Sequence, residues 1–320
     1  MKLDYIQQAY NGLYDSWRYI IGTIIIFIAW QFIGAIPLGI FLIAKVFNGA
    51  TMATDIPGMV DMLGSNLFLF LMLVSFAVGL VGVILSAKLL HKQSFKSLTT
   101  ARNKIDWKRF WFIFILWGTI SSGLVLLDYY LTPEDYVFNF NAKAFIILAV
   151  IGILLLPLQT SFEEYFFRGY LMQGLGVIFK NRWAPLVLTS VGFGMLHIFN
   201  PEVDTLGPVI MIFYIGTGFI LGIMTLMDEG LELALGFHAA NNLFTALLVT
   251  ADWTALQTDS ILKDISDPSR VSFVEIAAPV LVIYPLILFI LSKKYGWKNW
   301  KEKLFGPVVE PLKDDYKVIE

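Results

Sequence analysis

Long apolar runs broken by short polar segments recur from one end of this 320-residue chain to the other. A run of about 18 or more apolar residues is long enough to cross the ~30 Å hydrocarbon core of a bilayer as a helix. The pattern predicts eight such spans, at roughly 19–45, 65–90, 110–131, 143–170, 184–200, 207–228, 232–250 and 274–293. The expected fold class is all-α: a polytopic transmembrane helical bundle of about eight spans.

Positive charge orients those spans. With the N-terminus inside, 18 Lys and Arg residues fall on cytoplasmic segments and 4 on the opposite side, Arg168 left aside. The basic residues gather at 88–109, 180–182 and 293–317, and this bias predicts that both termini are cytoplasmic. Trp107, Trp111, Trp183, Trp297 and Trp300 stand near predicted helix ends, the place of interfacial anchors. The external loops are short and acidic, except for the longer 251–273. No internal repeat is visible. The simplest organisation is a single integral-membrane domain over 1–320, with a motif-bearing core at 143–250 and a cytoplasmic tail at 294–320. Met1–Trp17 has no small-residue cleavage site, so the first apolar run is expected to stay as an anchor.

Composition removes several function classes. The chain is 57% hydrophobic and 15% charged, against about 25% charged for a soluble domain. A net charge of −2 gives no basic patch for nucleic acid. The absence of cysteine excludes disulfides, a thiol nucleophile and thiolate-bound metal. There is no phosphate-binding glycine loop for a nucleotide, and no His-Glu-x-x-His zinc motif. Ser121-Ser122-Gly123 lacks the Gly-x-Ser-Gly context of a rhomboid serine, and no Gly-x-Gly-Asp is present.

Against this apolar background a few ionisable residues stand out. Ser161-Phe162-Glu163-Glu164-Tyr165-Phe166-Phe167-Arg168 lies near the end of the fourth run, and two further runs carry His197 and His238. Ionisable groups at membrane depth are costly and mark proton relays or active sites. Glu164 and Arg168 are four apart and share a helix face; Glu163 lies about 100° round the helix. A structural ion pair is one reading. The other is a general base, Glu163, beside a glutamate held by arginine. His197 follows Phe193 by four, and Asn242 follows His238 by four. Gly192 and Gly194 offer close helix approach. A hairpin near Lys180–Arg182 would bring Glu163 and His197 to similar depth, at most about 25 Å from its tip. His91, in a basic loop, reads as solvated.

Glu-Glu-x-x-x-Arg, Phe-x-x-x-His and His-x-x-x-Asn, in this order on separate spans, resemble the motifs of the CPBP intramembrane proteases. These include the CAAX prenyl endopeptidases and bacterial bacteriocin-processing and immunity relatives. The resemblance covers about 163–242. It implies that Glu163 and His197 activate the attacking water, and that His238 and Asn242 stabilise the oxyanion. It gives Glu164 and Arg168 a supporting role. In a metal-based reading it offers Glu163, His197 and His238 as ligands of a divalent ion such as zinc, and the sequence leaves that choice open. It implies a membrane-associated or lipidated peptide, or a small membrane protein, as substrate in a lipid setting. The compact 36.2 kDa size suits a bacterial plasma membrane. Two other classes stay open: a proton-coupled transporter using Glu163, Glu164, His197 and His238 as a relay, and a non-catalytic immunity or scaffold protein. No oligomeric state is written in the sequence.

Overall fold

The computed structural model describes residues 3–312. Eight main helices follow the predicted runs: α1 Ser16–Phe47, α2 Ser65–Leu90, α3 Trp107–Leu131, α4 Ala142–Phe179, α5 Trp183–Met195, α6 Pro208–Asp228, α7 Glu232–Leu248 and α8 Phe273–Tyr295. Six of them are long and apolar enough to cross a membrane; α5 and α7 are shorter. The reason lies in their polar content. Helix α5 ends at Met195 and the chain turns through His197 before Pro201. Helix α7 carries Glu232, His238, Asn241 and Asn242 within 17 residues. The chain is a polytopic helical bundle and an integral membrane protein. Its apolar side chains also face outward, as lipid requires: Ile20, Phe32 and Ile40 on α1 are all more than half exposed.

Local sequence sets the ends of the motif-bearing helices. Asn141 caps α4 by accepting from the Ala144 amide at 3.1 Å. Lys180 closes it in the left-handed region, at φ 54°. The Asn181 side chain then accepts from Ala184 N at 2.8 Å and opens α5. Between Tyr165 and Leu171, α4 widens into a π-helical turn, a feature often found at functional sites.

Helix α7 packs on α3 and α4, α5 packs on α6, and α2 packs on α4. Two glycines permit the α5–α6 approach. A Cβ on Gly194 would lie 2.5 Å from Ile215, and one on Gly218 would lie 2.4 Å from the Ser190 carbonyl. Gly192, expected to share this role, would make only ordinary contact with Phe167. Three short strands sit beyond the helices, Tyr136–Phe138 (β1), Val249–Thr250 (β2) and Leu262–Asp264 (β3). Strand β3 is central, antiparallel to β1 with Tyr136 opposite Asp264, and parallel to β2.

The opposite face gathers both ends of the described chain. Gln7 donates to Val309 O at 2.9 Å, Tyr14 to Glu310 at 2.9 Å, and Arg182 pairs with Asp4. The expected tail thus packs against the α4–α5 hairpin as far as it is described; 313–320 lie outside the described residues. On this face Arg102 and Arg109 bind Asp228 at 3.0 and 2.5 Å, and Arg102 binds Glu232 at 2.7 Å. Trp297 is no interfacial anchor: it is buried and donates to Asp228 at 3.1 Å.

His91 also departs from expectation. It is 1% exposed, and it meets Leu13 O at 2.6 Å and the Tyr170 hydroxyl at 2.8 Å. Tyr19 packs against its ring and excludes water. Burial holds its pKa below the ordinary 6.5. The unfolded chain therefore binds the proton more readily. His91's contribution to stability is present above pH 6.5 and declines as pH falls below it. Thermal unfolding of wild type and His91→Gln should diverge less at pH 5 than at pH 8; an unchanged difference would exclude this linkage.

Candidate active site

Four helices deliver the polar side chains to one buried place. Helix α4 supplies Gln159, Glu163, Glu164 and Arg168; Gln159 and Glu163 are four residues apart, as are Glu164 and Arg168, so each pair shares a face. Glu163 is 6% exposed, and Glu164 and Arg168 are fully buried. The Arg168 guanidinium donates to Glu164 Oε1 at 3.0 Å and to the Gly218 carbonyl of α6 at 3.0 Å. It also lies 4.4 Å from the Phe193 ring centroid of α5, a cation–π contact. The buried charge is matched by Glu164 and two of its nitrogens donate, while Nε has no hydrogen-bond partner among the described residues.

His238 of α7 meets both glutamates. Its Nδ1 is 2.8 Å from Glu164 Oε1, and its Nε2 is 3.5 Å from Glu163 Oε2. A carboxylate can only accept, so Nδ1 carries the proton and donates to Glu164. That fixes the tautomer and leaves Nε2 facing Glu163. The depth is modest. Glu232, at the start of α7, is bound by Arg102 on the face of the chain ends. His238 lies six residues further on, about 9 Å along the axis.

Glu163 has two unlike oxygens. Oε1 accepts from Gln159 Nε2 at 2.5 Å, while Oε2 is buried with no hydrogen-bond partner among the described residues. Asn242 donates to Gln159 Oε1 at 2.9 Å, so it reaches the glutamate through that amide. Gln159 was not anticipated from sequence, although it lies four residues before Glu163 and so on the same helix face.

His197 lies on the other side of the group. Its Nδ1 donates to Phe193 O at 3.0 Å, and its ring stacks on Tyr214 of α6 at 4.2 Å and 19°. Tyr214 donates to Glu202, whose second oxygen accepts from Ala255 N at 2.9 Å. Glu202, in one of the short acidic loops, is thus buried and braces the ring behind His197. Phe193 touches both histidines, with ring centroids 5.1 Å from His197 and 5.6 Å from His238. Tyr214→Ala should lower turnover roughly tenfold by releasing the imidazole, the scale of a lost ring stack. Tyr214→Phe, which keeps the stack, should lose less; equal losses would place the effect in the Glu202 contact.

Among the described residues, no three His, Asp or Glu side chains group closely enough to hold a metal ion. Glu163 and His238 meet, but His197 is turned toward Phe193 and Tyr214. The ligand set offered by the resemblance is therefore not gathered. What the arrangement can do chemically is take a proton at Glu163 Oε2 and present donors from His238 and Asn242 beside it.

Comparison with known proteins bears on the same stretch. A protein of Bacillus subtilis (strain 168), described as the uncharacterized protein YyaK, is 36% identical over 186 residues. The match covers 57% of this chain and 61% of that protein, so the chain spans less than two thirds of the relative's length. No solved structure matches. Residues 138–244 match the family model described as type II CAAX prenyl endopeptidase Rce1-like. The buried glutamates, the arginine and both histidines, from Glu163 to His238, all lie within the stretch that is similar to this family model.

Proposed function

We propose that the chain is an intramembrane endopeptidase that hydrolyses peptide bonds of membrane-associated or lipidated peptides. The observation that carries this reading is the Glu163 carboxylate, anchored at Oε1 by Gln159 and bare at Oε2 beside His238. In this reading Glu163 Oε2 takes a proton from water as the water oxygen bonds to the scissile carbonyl carbon. His197 faces the same water from the opposite wall. His238 Nε2, protonated, and the Asn242 amide donate to the oxyanion. When the carbon–nitrogen bond breaks, the proton on Glu163 passes to the departing amine. Glu164, held by Arg168, keeps accepting from His238 Nδ1 throughout, so that Nε2 stays turned toward the reacting group.

Segment 143–250 is the catalytic core of a single domain over 1–320, and 294–320 is its cytoplasmic tail. The protein resides in a bacterial plasma membrane with both termini inside. The basic residues of 88–109 and the joined chain ends support that orientation.

The test is cleavage of a fluorogenic lipopeptide panel by purified wild type, Glu163→Ala and His197→Ala, with and without a chelator. Cleavage lost in both variants supports the reading. Retention in Glu163→Ala defeats it. Activity lost with chelator and restored by zinc would bring in a metal; resistance to chelator favours the glutamate-activated water. Asn242→Leu should lower kcat by roughly 10²-fold, the scale of one oxyanion donor, with KM little changed. A loss confined to KM would remove Asn242 from that role.

A further inference from the structure

We propose that Trp117 sets the direction of an amide chain, Asn241–Asn242–Gln159, that holds Glu163 in register with the site, making Trp117 and Gln159 positioning residues. The inference rests on the endopeptidase reading and extends it to a helix outside the matched domain. Trp117 lies on α3, is 5% exposed, and stacks on Phe237 of α7 at 4.4 Å and 26°. Its indole Nε1 donates to Asn241 Oδ1 at 3.1 Å. Asn241 Nδ2 donates to Asn242 Oδ1 at 3.2 Å, and Asn242 Nδ2 donates to Gln159 Oε1 at 2.9 Å. Gln159 Nε2 then donates to Glu163 Oε1 at 2.5 Å.

Every link runs the same way, and the chemistry of the two ends requires it. An indole N–H can only donate, and an ionised carboxylate can only accept. Each amide between them has one acceptor end and one donor end. Turning Asn241 over would set its NH₂ against the indole N–H, and its oxygen against Asn242 Oδ1. Two links would fail together, and in a half-buried, water-poor place neither partner recovers its bond from solvent. Trp117 therefore acts on Glu163 through three amides without touching it. The same polarity commits one Asn242 N–H to Gln159 and leaves the second without an acceptor among the described residues. That is the N–H the oxyanion would need.

Two independent readouts test this on the full chain in detergent micelles. The first is spectroscopic and needs no substrate: the indole N–H resonance of ¹⁵N-tryptophan-labelled protein, with Trp117 assigned by its loss in Trp117→Phe. Gln159→Leu, three links away, should shift that resonance, whereas Gln159 acting as local packing would leave it in place. The second is the kcat and KM of a fluorogenic prenylated CAAX-type peptide. Trp117→Phe keeps the stack on Phe237 and loses only the donor, so kcat should fall about tenfold with KM within twofold. Asn241→Leu, which breaks the chain from the other helix, should give the same split. An unmoved indole resonance in Gln159→Leu overturns the coupling, however active the enzyme. A resonance that moves, in a protein whose Glu163→Ala variant still cleaves at the wild-type rate, overturns Glu163 as the base and with it the positioning role.

Discussion

Glu163→Gln should abolish cleavage while the protein stays folded. The substitution keeps the shape of the side chain and an oxygen to accept from Gln159 Nε2, so the amide chain from Trp117 persists. It removes the only thing the carboxylate alone offers, a basic oxygen beside His238 Nε2. General-base catalysis contributes about 10²–10⁴-fold, and a loss of that size in kcat is expected with thermal stability within a degree or two. The measurement is kcat on a cleaved lipopeptide, paired with the unfolding temperature. Wild-type turnover in a folded Glu163→Gln protein would remove Glu163 from the chemistry.

Arg168→Ala should be the most destabilising single change in the site. Arg168 and Glu164 are both wholly enclosed, and the guanidinium also satisfies the Gly218 carbonyl of the next helix. Removing one member of a buried pair strands the other, at a cost of about 3–5 kcal/mol. Activity should fall as well, because Glu164 is what orients the His238 ring. Arg168→Lys should rescue little, since a single ammonium cannot reach both Glu164 and Gly218 in a fork. The double variant Glu164→Gln/Arg168→Met separates the two effects. It should regain much of the stability and none of the turnover. If it stays as unstable as Arg168→Ala, the loss reflects packing against Phe193 rather than a stranded charge.

What was legible in the sequence divides along physical lines. The helices were, because lipid leaves an apolar run few options. Glu163, Glu164, Arg168, His197, His238 and Asn242 were also conspicuous as ionisable or amide groups at helical spacing in apolar runs. Gln159 was hidden because a lone amide in an apolar segment looks ordinary until its partner on α7 is known. Trp117 was hidden more deeply: its role comes from an α3–α7 contact over 124 residues, and nothing in its neighbourhood marks it. His91 was misread for one reason. Loop position suggested water, whereas tertiary packing by Tyr19 removed it. The π turn at 165–171 has no periodic signature, since one extra residue in a turn leaves the apolar run unbroken.

The joining of the chain ends has a bearing on biosynthesis. Gln7 and Tyr14 find Val309 and Glu310, and Tyr5 N finds Glu229 at 2.5 Å. A ribosome delivers residues 7–14 long before 309–310, so the contacts of Gln7 and Tyr14 with Val309 and Glu310 close only after the eight helices between them have been made. Until then that part of the face stands open, although Tyr5 already has Leu98 O and Arg168 O as acceptors. The bundle therefore carries its own completion mark: protease resistance around Gln7–Tyr14 should rise once residues 309–310 have reached their place.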